Sequence, residues 1–292
     1  MKISVIIPCY NEETTIIPLL KSVKKETTKI KAVTFEIIVI DDGSTDGTFD
    51  WIKSKYPSIK LLESLKPSKS LKGYSPKGVS VARNVGIKQS KGDWIALLDS
   101  DDEWIPDKLI KQVQLLKKNE ESVFCHTNEI WIRNGVRVNQ HKKHQKYGGY
   151  IFKECLDICR ISPSSALIHK SIFEDIGLFD ESLKVCEDYD LWLRITSNYP
   201  VLFLDEFLIK KYGGHEDQLS KTPEGIEQYR IKSLEKIMSS NLLPESQFQT
   251  AKDMLITKLQ IFANGLEKRQ KIDEFNTIQK KIQYWINISF LN

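Results

Sequence analysis

The sequence lacks the features that define several classes of protein. It has no uninterrupted apolar run close to the roughly 18 residues that cross a bilayer, so we expect no transmembrane helix. The apolar run near the N-terminus is short and leads into Asn11 without a small-residue cleavage site, so we also expect no signal peptide. These absences predict a cytoplasmic protein with at most a peripheral contact at the inner face of the membrane.

Cysteine is scarce and irregularly spaced. The five cysteines form no CxxC pair, and Cys155 and Cys159 have no matching pair of histidines nearby. A disulfide framework and a structural zinc site are therefore not expected. Reduced thiols in a cytosolic chain are the simpler interpretation.

Neither sign of charge dominates the chain. There are 43 Lys+Arg against 39 Asp+Glu, a net charge of +4 over 292 residues, whereas nucleic-acid binders usually concentrate more positive charge, so we predict no nucleic-acid partner. Hydrophobic residues make up 40% and predict a sizeable core. The lysine-rich segments 66–77 and 141–146 are expected to be solvated loops, and the first has the alternative of closing a lysine over a diphosphate.

Strand-like and helix-like segments alternate over the first hundred residues. Buried strands are predicted at 3–7, 35–40, 59–62 and 94–98, and helices at 12–25, with Asn11 as the cap, and at 79–89. This alternation predicts a parallel α/β sheet.

The remaining chain is mixed and then helical. We predict a helix at 107–117, an extended segment at 123–133 with a hairpin turn at Asn134-Gly135, strands at 165–169 and 201–204, and a helix at 188–198. Beyond about Thr222 amphipathic helices are expected, with breaks near Pro244 and at 267–273. The predicted organisation is an α/β domain over 1–221 and a helical C-terminal extension over 222–292.

Acidic residues follow two of the predicted strands. Asp99, Asp101 and Asp102 end the strand at 94–98, and Asp41 and Asp42 end the strand at 35–40. Adjacent parallel strands would bring both ends to the sheet edge where ligands bind. Oxygen ligands of this kind suit Mg²⁺ or Mn²⁺. The alternatives are a helix cap or a calcium-type loop for the first cluster, and an Asx turn with a helix cap for the second.

A third acidic pair, Glu187 and Asp188, begins the predicted helix at 188–198. Acids in this position often only stabilise the helix dipole. An acid there can also be a general base, if an acceptor hydroxyl comes within hydrogen-bond reach.

Six segments in one order together resemble family 2 glycosyltransferases, which are inverting enzymes of the GT-A fold, a Rossmann-like mixed sheet flanked by helices. The segments are 4–12 (SVIIPCYNE), 41–48 (DDGSTDGT), 82–86 (ARNVG), 99–102 (DSDD), 177–181 (GLFDE) and 187–194 (EDYDLWLR). The resemblance covers about residues 2–220.

The resemblance implies a role for each matched position. The implied donor-nucleotide contacts are Pro8, Tyr10, Glu12, Asp42, Arg83, Asp99 and Ser100, with Asp42 on the uracil or its equivalent. The implied metal ligands for Mn²⁺ or Mg²⁺ are Asp101 with Asp99 or Asp102, and His215 in the segment 211–220. Asp188 is the implied catalytic base, with Glu187 as the alternative. The lysine-rich insert before Val79 and the pair Gly213-Gly214 depart from the common family pattern where the diphosphate would be held.

The implied reaction is transfer of a sugar, with inversion, from a nucleoside-diphosphate donor to an acceptor hydroxyl. The position of Asp42 favours a UDP-sugar. The expected acceptor is a carbohydrate or glycolipid in the synthesis of bacterial surface polysaccharide, lipopolysaccharide or glycoconjugate. Two alternatives are a nucleotidyltransferase, which would have a glycine-rich loop where Pro8 to Glu12 stand, and a sugar-nucleotide-binding protein without catalysis.

Overall fold

The computed structural model describes residues 1–30, 33–64, 76–214 and 225–290. The strands are β1 (Lys2–Cys9), β2 (Thr34–Asp41), β3 (Lys60–Glu63), β4 (Trp94–Leu97), β5 (Glu103–Trp104), β6 (Phe124–Arg133), β7 (Val136–Val138), β8 (Leu167–His169) and β9 (Leu202–Gly213). The helices are α1 (Ile16–Lys29), α2 (Thr48–Lys55), α3 (Val79–Gln89), α4 (Lys108–Lys118), α5 (Phe152–Cys155), α6 (Ser171–Ile176), α7 (Glu187–Thr196), α8 (Glu227–Ser239), α9 (Glu245–Lys268) and α10 (Ile272–Asn287).

Within the described residues the strands form one mixed sheet. Its order is β3-β2-β1-β4-β8-β6-β9-β5, and β7 forms the predicted Asn134-Gly135 hairpin with β6. β1 is parallel to both β2 and β4, as the alternation of elements predicts, whereas β8 is antiparallel to β4. β2 and β4 are not adjacent, because β1 pairs with both, yet their carboxyl ends still lie at one edge of the sheet.

The two faces of the sheet carry separate hydrophobic clusters, because successive strand residues point to opposite sides. On β1, Val5 and Ile7 pack in the cluster that contains residues of α1 and α4. Ile6 packs in the other cluster with residues of α3 and α7. A Cβ added to Gly86 of α3 would lie 2.6 Å from Ile6 and 2.7 Å from Ile40, so this glycine is what lets α3 approach the sheet closely.

Two sequence predictions are wrong at particular boundaries. α1 begins at Ile16, and Asn11 does not cap it: Asn11 has a φ of 55° and its Oδ1 accepts the backbone N–H of Thr45 at 2.8 Å. Asparagine tolerates this left-handed conformation, and its side chain joins the β1 and β2 loops instead. β9 runs to Gly213, whereas the predicted strand ends at residue 204. The prediction was too short because charged side chains such as Lys210, which pairs with Glu103, interrupt the apolar pattern of the strand.

The C-terminal helices pack on the rest of the chain. Leu234 of α8, Leu255 of α9 and Trp285 of α10 belong to the same hydrophobic cluster as Trp192 of α7. Lys236 of α8 also pairs with Asp180 and Asp190 at 2.6 and 3.0 Å. In the described part of the chain, each helix is either too short or too polar to cross a membrane.

Candidate active site at the carboxyl edge of the sheet

The carboxyl ends of β1, β2 and β4 place the predicted nucleotide contacts along one edge. Pro8 lies buried at the end of β1, whereas Tyr10 beyond it is 41% exposed. Glu12 accepts a hydrogen bond from the Ser100 hydroxyl at 3.0 Å. This bond joins the loop after β1 to the acidic segment after β4, so the structure brings these two groups of residues together.

The two acids after β2 have different contacts. Asp41 makes an Asx turn within its own loop, and Asp42 bonds to residues of later segments. Asp41 Oδ2 accepts the backbone N–H groups of Gly43 and Ser44 at 3.0 and 2.9 Å, so for this residue the turn is the better interpretation. Asp42 accepts the backbone N–H of Gly78 at 2.7 Å and the hydroxyl of Ser64. Asp42 is buried at the sheet edge and its carboxylate is held in one orientation.

Arg83 connects the acidic segment after β4 to the start of α7. Its guanidinium donates to Asp99 Oδ1 and to Glu187 Oε1, both at 2.6 Å, and the side chain is 3% exposed. The ring of Phe179 lies under the guanidinium with its centroid at 5.1 Å. A buried arginine that satisfies two carboxylates fixes their separation, because its planar fork has few alternative geometries.

Glu187 and Asp188 differ in environment although they are neighbours. Glu187 is buried, which raises its pKa to about 6 although Arg83 acts in the opposite direction. Asp188 is half-buried, and its Oδ2 accepts the Cys159 thiol at 3.2 Å. Burial and the adjacent Asp188 raise the pKa of the Cys159 thiol well above its usual value, so the thiol stays protonated and donates. Asp188 is therefore the more accessible carboxylate of the pair.

Lys211 is a site residue to which sequence reasoning assigned no role. It lies on β9 and donates to the Ser162 hydroxyl at 3.1 Å. Burial alone would lower the pKa of Lys211, but Glu129, Asp102, Asp188 and Asp99 raise it, so the lysine remains a cation among these acids. The sequence shows only a lysine beyond the predicted strand at 201–204, which reveals neither the length of β9 nor the acids that surround Lys211 in the fold.

Asp102 is the most buried of the three acids that follow β4, Asp99, Asp101 and Asp102. Its carboxylate accepts the Ser164 hydroxyl at 2.6 Å and the Tyr212 backbone N–H at 3.2 Å. Burial and the nearby Asp101 raise the pKa of Asp102 well above its usual range, because a buried carboxylate beside a second negative charge is harder to ionise. Asp99 has a 23% exposed side chain and is the more accessible neighbour of Asp101.

This acidic segment fits an oxygen-liganded divalent cation. The donors are carboxylates, and their mutual repulsion is what a cation relieves. In the ranges that the structure describes, no three His, Cys, Asp or Glu side chains surround a common position. Mg²⁺ and Mn²⁺ are commonly bound by one or two carboxylates together with phosphate oxygens and water. His215, the other predicted ligand, lies outside the described residues.

Other residues of the matched segments hold the site together. Asn84 donates to the Phe179 carbonyl and to Glu181 and accepts the Phe179 N–H, which ties α3 to the segment 177–181. Arg194 pairs with Asp190 at 2.8 Å and donates to the Leu178 carbonyl at 2.8 Å. These bonds position α3 and α7 so that Arg83 and Glu187 meet.

Comparison with solved structures assigns the fold. The S. aureus TarS fragment 1–349 in complex with UDP-GlcNAc superposes with a TM-score of 0.66 at 23% identity, covering 89% of this chain and 72% of that one. The mixed, helix-flanked sheet is therefore of the GT-A type, as predicted.

Sequence comparison assigns the family. An uncharacterised glycosyltransferase of Rickettsia conorii is 33% identical over 72% of this chain, which spans only 32% of that relative's length. The chain likewise spans 45% and 26% of relatives from Rickettsia felis and Rickettsia bellii. The Escherichia coli UDP-Glc:alpha-D-GlcNAc-diphosphoundecaprenol beta-1,3-glucosyltransferase WfgD is 31% identical, covering 75% of this chain and 79% of that one. Residues 4–177 match the family model for Glycosyl transferase family 2, and the chain belongs to that family.

Proposed function

We propose that this chain transfers a sugar from a UDP-sugar to an acceptor hydroxyl, with inversion at the anomeric carbon. The observation that carries the proposal is the Arg83 bridge, which joins Asp99 of the donor edge to Glu187, the neighbour of Asp188. A transferase needs donor-binding and proton-accepting groups at a fixed separation, because both reactants must meet in one geometry.

The donor nucleotide lies along the edge formed by β1, β2 and β4. Pro8, Tyr10, Glu12, Asp42, Ser100 and Asp99 line this edge, and Asp42 accepts the uracil N3–H. Two relatives support a uridine donor, since WfgD of Escherichia coli is described as using UDP-Glc and the TarS fragment was solved with UDP-GlcNAc.

The reaction is a direct displacement at the anomeric carbon. Asp188 takes the proton from the acceptor hydroxyl while the oxygen forms its bond to that carbon and the bond to the UDP oxygen breaks. A carboxylate has an ordinary pKa near 4 and a sugar hydroxyl is far less acidic, so proton transfer must accompany attack. Arg83 and Lys211 hold the surrounding acids in place and offset their charge.

The donor diphosphate is held at the acidic segment after β4. Asp101, with the more accessible Asp99, would bind Mn²⁺ or Mg²⁺ there. When bound, such an ion supplies Lewis-acid stabilisation to the leaving diphosphate. Asp102 is already engaged by Ser164 and Tyr212 and has a supporting role in this assignment.

The acceptor is a carbohydrate attached to a lipid diphosphate, as part of bacterial surface polysaccharide or glycoconjugate synthesis. The support is that two Escherichia coli relatives, WfgD and WfaP, are described as acting on alpha-D-GlcNAc-diphosphoundecaprenol.

Donor binding tests this function without knowledge of the acceptor. In a thermal-shift screen of UDP-, GDP- and dTDP-sugars with and without Mn²⁺, the UDP-sugars should raise the melting temperature most, and only with metal, because a ligand of the folded state stabilises it by mass action. Asp101→Ala should abolish the metal-dependent shift, while the control Asp253→Ala on α9 should retain it. Tighter binding of GDP than UDP, or unchanged UDP binding by Asp101→Ala in calorimetry, would contradict the proposal.

A further inference from the structure

The segment between Glu129 and Glu154 contains no acidic residue. It contains instead Arg133, Arg137, Lys142, Lys143, Lys146 and Lys153, together with His141 and His144. The sequence alone predicts the hairpin at Asn134-Gly135 and a solvated loop at 141–146, and the structure gives both parts a defined shape. β6 and β7 form a hairpin, and a short 3₁₀ helix at Lys142–His144 follows it.

A cavity of about 340 Å³ lies between this hairpin and the 3₁₀ helix. Its lining is Trp131, Arg133, Val138, Asn139, His141, Lys143 and His144. Trp131 is held in place from several sides: its indole N–H donates to Glu129 at 2.7 Å, and the His144 ring contacts it edge-on at 4.8 Å. The Arg133 guanidinium stacks over the same indole at 5.6 Å.

Within the ranges that the structure describes, the positive charge of this cavity has no acidic partner. Some basic side chains elsewhere on the surface pair with acids, as Lys29 does with Asp107 and Lys281 with Glu235. Among the described residues, Arg133 and Lys143 are in no ion pair closer than 4.0 Å, and both are exposed. The nearest acid along β6, Glu129, is buried and pairs with Lys146 at 3.1 Å. The cavity therefore presents uncompensated donors to solvent, a suitable environment for a phosphate group.

The cavity adjoins the candidate active site on the side away from the nucleotide edge. Trp131 and Arg133 pair in the parallel ladder with Lys211 and Gly213 of β9. Lys211 is the cation surrounded by Asp99, Asp102 and Asp188. In the sheet order, β6 lies three strands from β1, roughly 14 Å at ordinary strand spacing, which places the cavity away from the nucleotide edge.

We propose that this cavity binds the phosphate group of a phosphate-bearing acceptor, with Arg133 and Lys143 as its principal donors. The proposal rests on the proposed function, because it assigns the cavity to the acceptor of that reaction. Arg133 provides a planar fork that matches two phosphate oxygens, and Lys143, which lines the same cavity, provides a point charge. The sugar hydroxyl that reacts would then extend from this anchor toward Asp188.

The test separates the cavity from the donor site by removing metal. Calorimetric titration of inorganic pyrophosphate is done in buffer with EDTA, using wild type, R133A/K143A, and the control K117A/K118A, which removes two exposed lysines of α4. Wild type and control should bind alike, and R133A/K143A should bind at least about tenfold more weakly, because two charge-assisted contacts are lost. Equal binding by all three proteins, or no binding by wild type, would overturn the proposal.

A second arm identifies which hypothesis has failed. Binding of UDP with Mn²⁺ should be the same in all three proteins, since neither pair of residues lies at the nucleotide edge. If UDP binds to none of them, the proposed function is what fails, and the pyrophosphate titration still decides the cavity. If phosphatidylglycerol vesicles bind through Arg133 and Lys143 while pyrophosphate does not, the cavity contacts a lipid surface and the acceptor assignment is wrong.

Discussion

The donor edge and the acceptor side hold their carboxylates by different means. At the donor edge, Asp41 and Asp42 accept hydrogen bonds from backbone N–H groups and hydroxyls of nearby loops. On the acceptor side, Glu187 is held by the guanidinium of Arg83, which comes from another helix and also pairs with Asp99 of the donor edge. The first arrangement depends on neutral donors that the neighbouring loops supply, and the second depends on charges that the fold brings together from distant parts of the chain.

This difference predicts where the molecule is sensitive to substitution. A carboxylate held by neutral donors tolerates an amide in its place, because the amide oxygen can accept most of the same hydrogen bonds. A buried ion pair does not tolerate loss of one partner, since the other charge is left uncompensated. Changes at the donor edge should therefore alter nucleotide affinity, whereas changes on the acceptor side should alter both stability and turnover.

The largest effect is expected at Asp188. Asp188→Asn keeps the shape of the side chain but removes most of its basicity, so turnover should fall by about 10² to 10⁴ while UDP binding is retained. Steady-state kinetics with calorimetry of UDP would measure both quantities. Asp42→Asn is the matched change at the donor edge and should weaken UDP binding instead. If Asp188→Asn keeps more than about a tenth of wild-type turnover, the base lies elsewhere, and Glu187 is the next residue to change.

The next largest effect is expected on stability. Arg83→Met leaves Asp99 and Glu187 without their common partner and should lower the free energy of unfolding by about 3 to 5 kcal/mol. Asp41→Asn, which perturbs an Asx turn and a contact with the Cys9 thiol, should cost about 1 kcal/mol. Urea denaturation of the two variants would compare them directly. Similar losses in both would remove the distinction between the two sides.

Lys108 extends the comparison to a buried lysine held by neutral groups. It donates to Gln112 at 2.7 Å and lies over the Trp104 ring, and burial lowers its pKa to about 7 from 10.5. Between those two values the unfolded chain binds more protons, so the free energy of unfolding should rise with pH. From pH 7 to 8.5 this group should add about 1.5 kcal/mol. Urea denaturation of both proteins at pH 7 and at pH 8.5 would measure this increment, which Lys108→Met should lack. If the free energy of unfolding rises equally with pH in both proteins, Lys108 is charged at neutral pH.

The smallest effect is expected from Cys159, whose thiol donates to Asp188. Cys159→Ala removes this donor and should lower turnover by about threefold to tenfold, in line with one hydrogen bond, with donor KM unchanged. Cys159→Ser supplies a hydroxyl donor and should restore most of the loss. A fall in turnover that is equal in both variants would indicate altered packing rather than lost positioning of Asp188.

The sequence predicted the parts of the site that depend on local pattern. β1, β2 and β4 are continuous apolar runs followed by polar residues, and α3 has the predicted bounds, Val79 to Gln89. The acids at the strand ends could be placed at one edge because parallel strands share their direction. GT-A architecture and family membership followed from six segments in order, and both are confirmed.

The sequence did not predict the contacts that join distant segments. Arg83 and Glu187 are 104 positions apart, and nothing in either local pattern indicates that they meet. Lys211 lies in the part of β9 whose apolar pattern is interrupted by charge, so neither the strand nor the surrounding acids could be predicted. The segment 141–146 gave only a count of bases, because a cavity depends on how a hairpin and a 3₁₀ helix pack together.

The stereochemistry of donor cleavage tests the central claim most directly. Water can replace the acceptor hydroxyl, so slow hydrolysis of an α-linked UDP-sugar can be followed by proton NMR before the released sugar equilibrates. Direct displacement with Asp188 as base predicts that the β-anomer appears first and that Asp188→Asn releases it about 10² to 10⁴ times more slowly. First appearance of the α-anomer, or equal rates in the two proteins, would contradict the account.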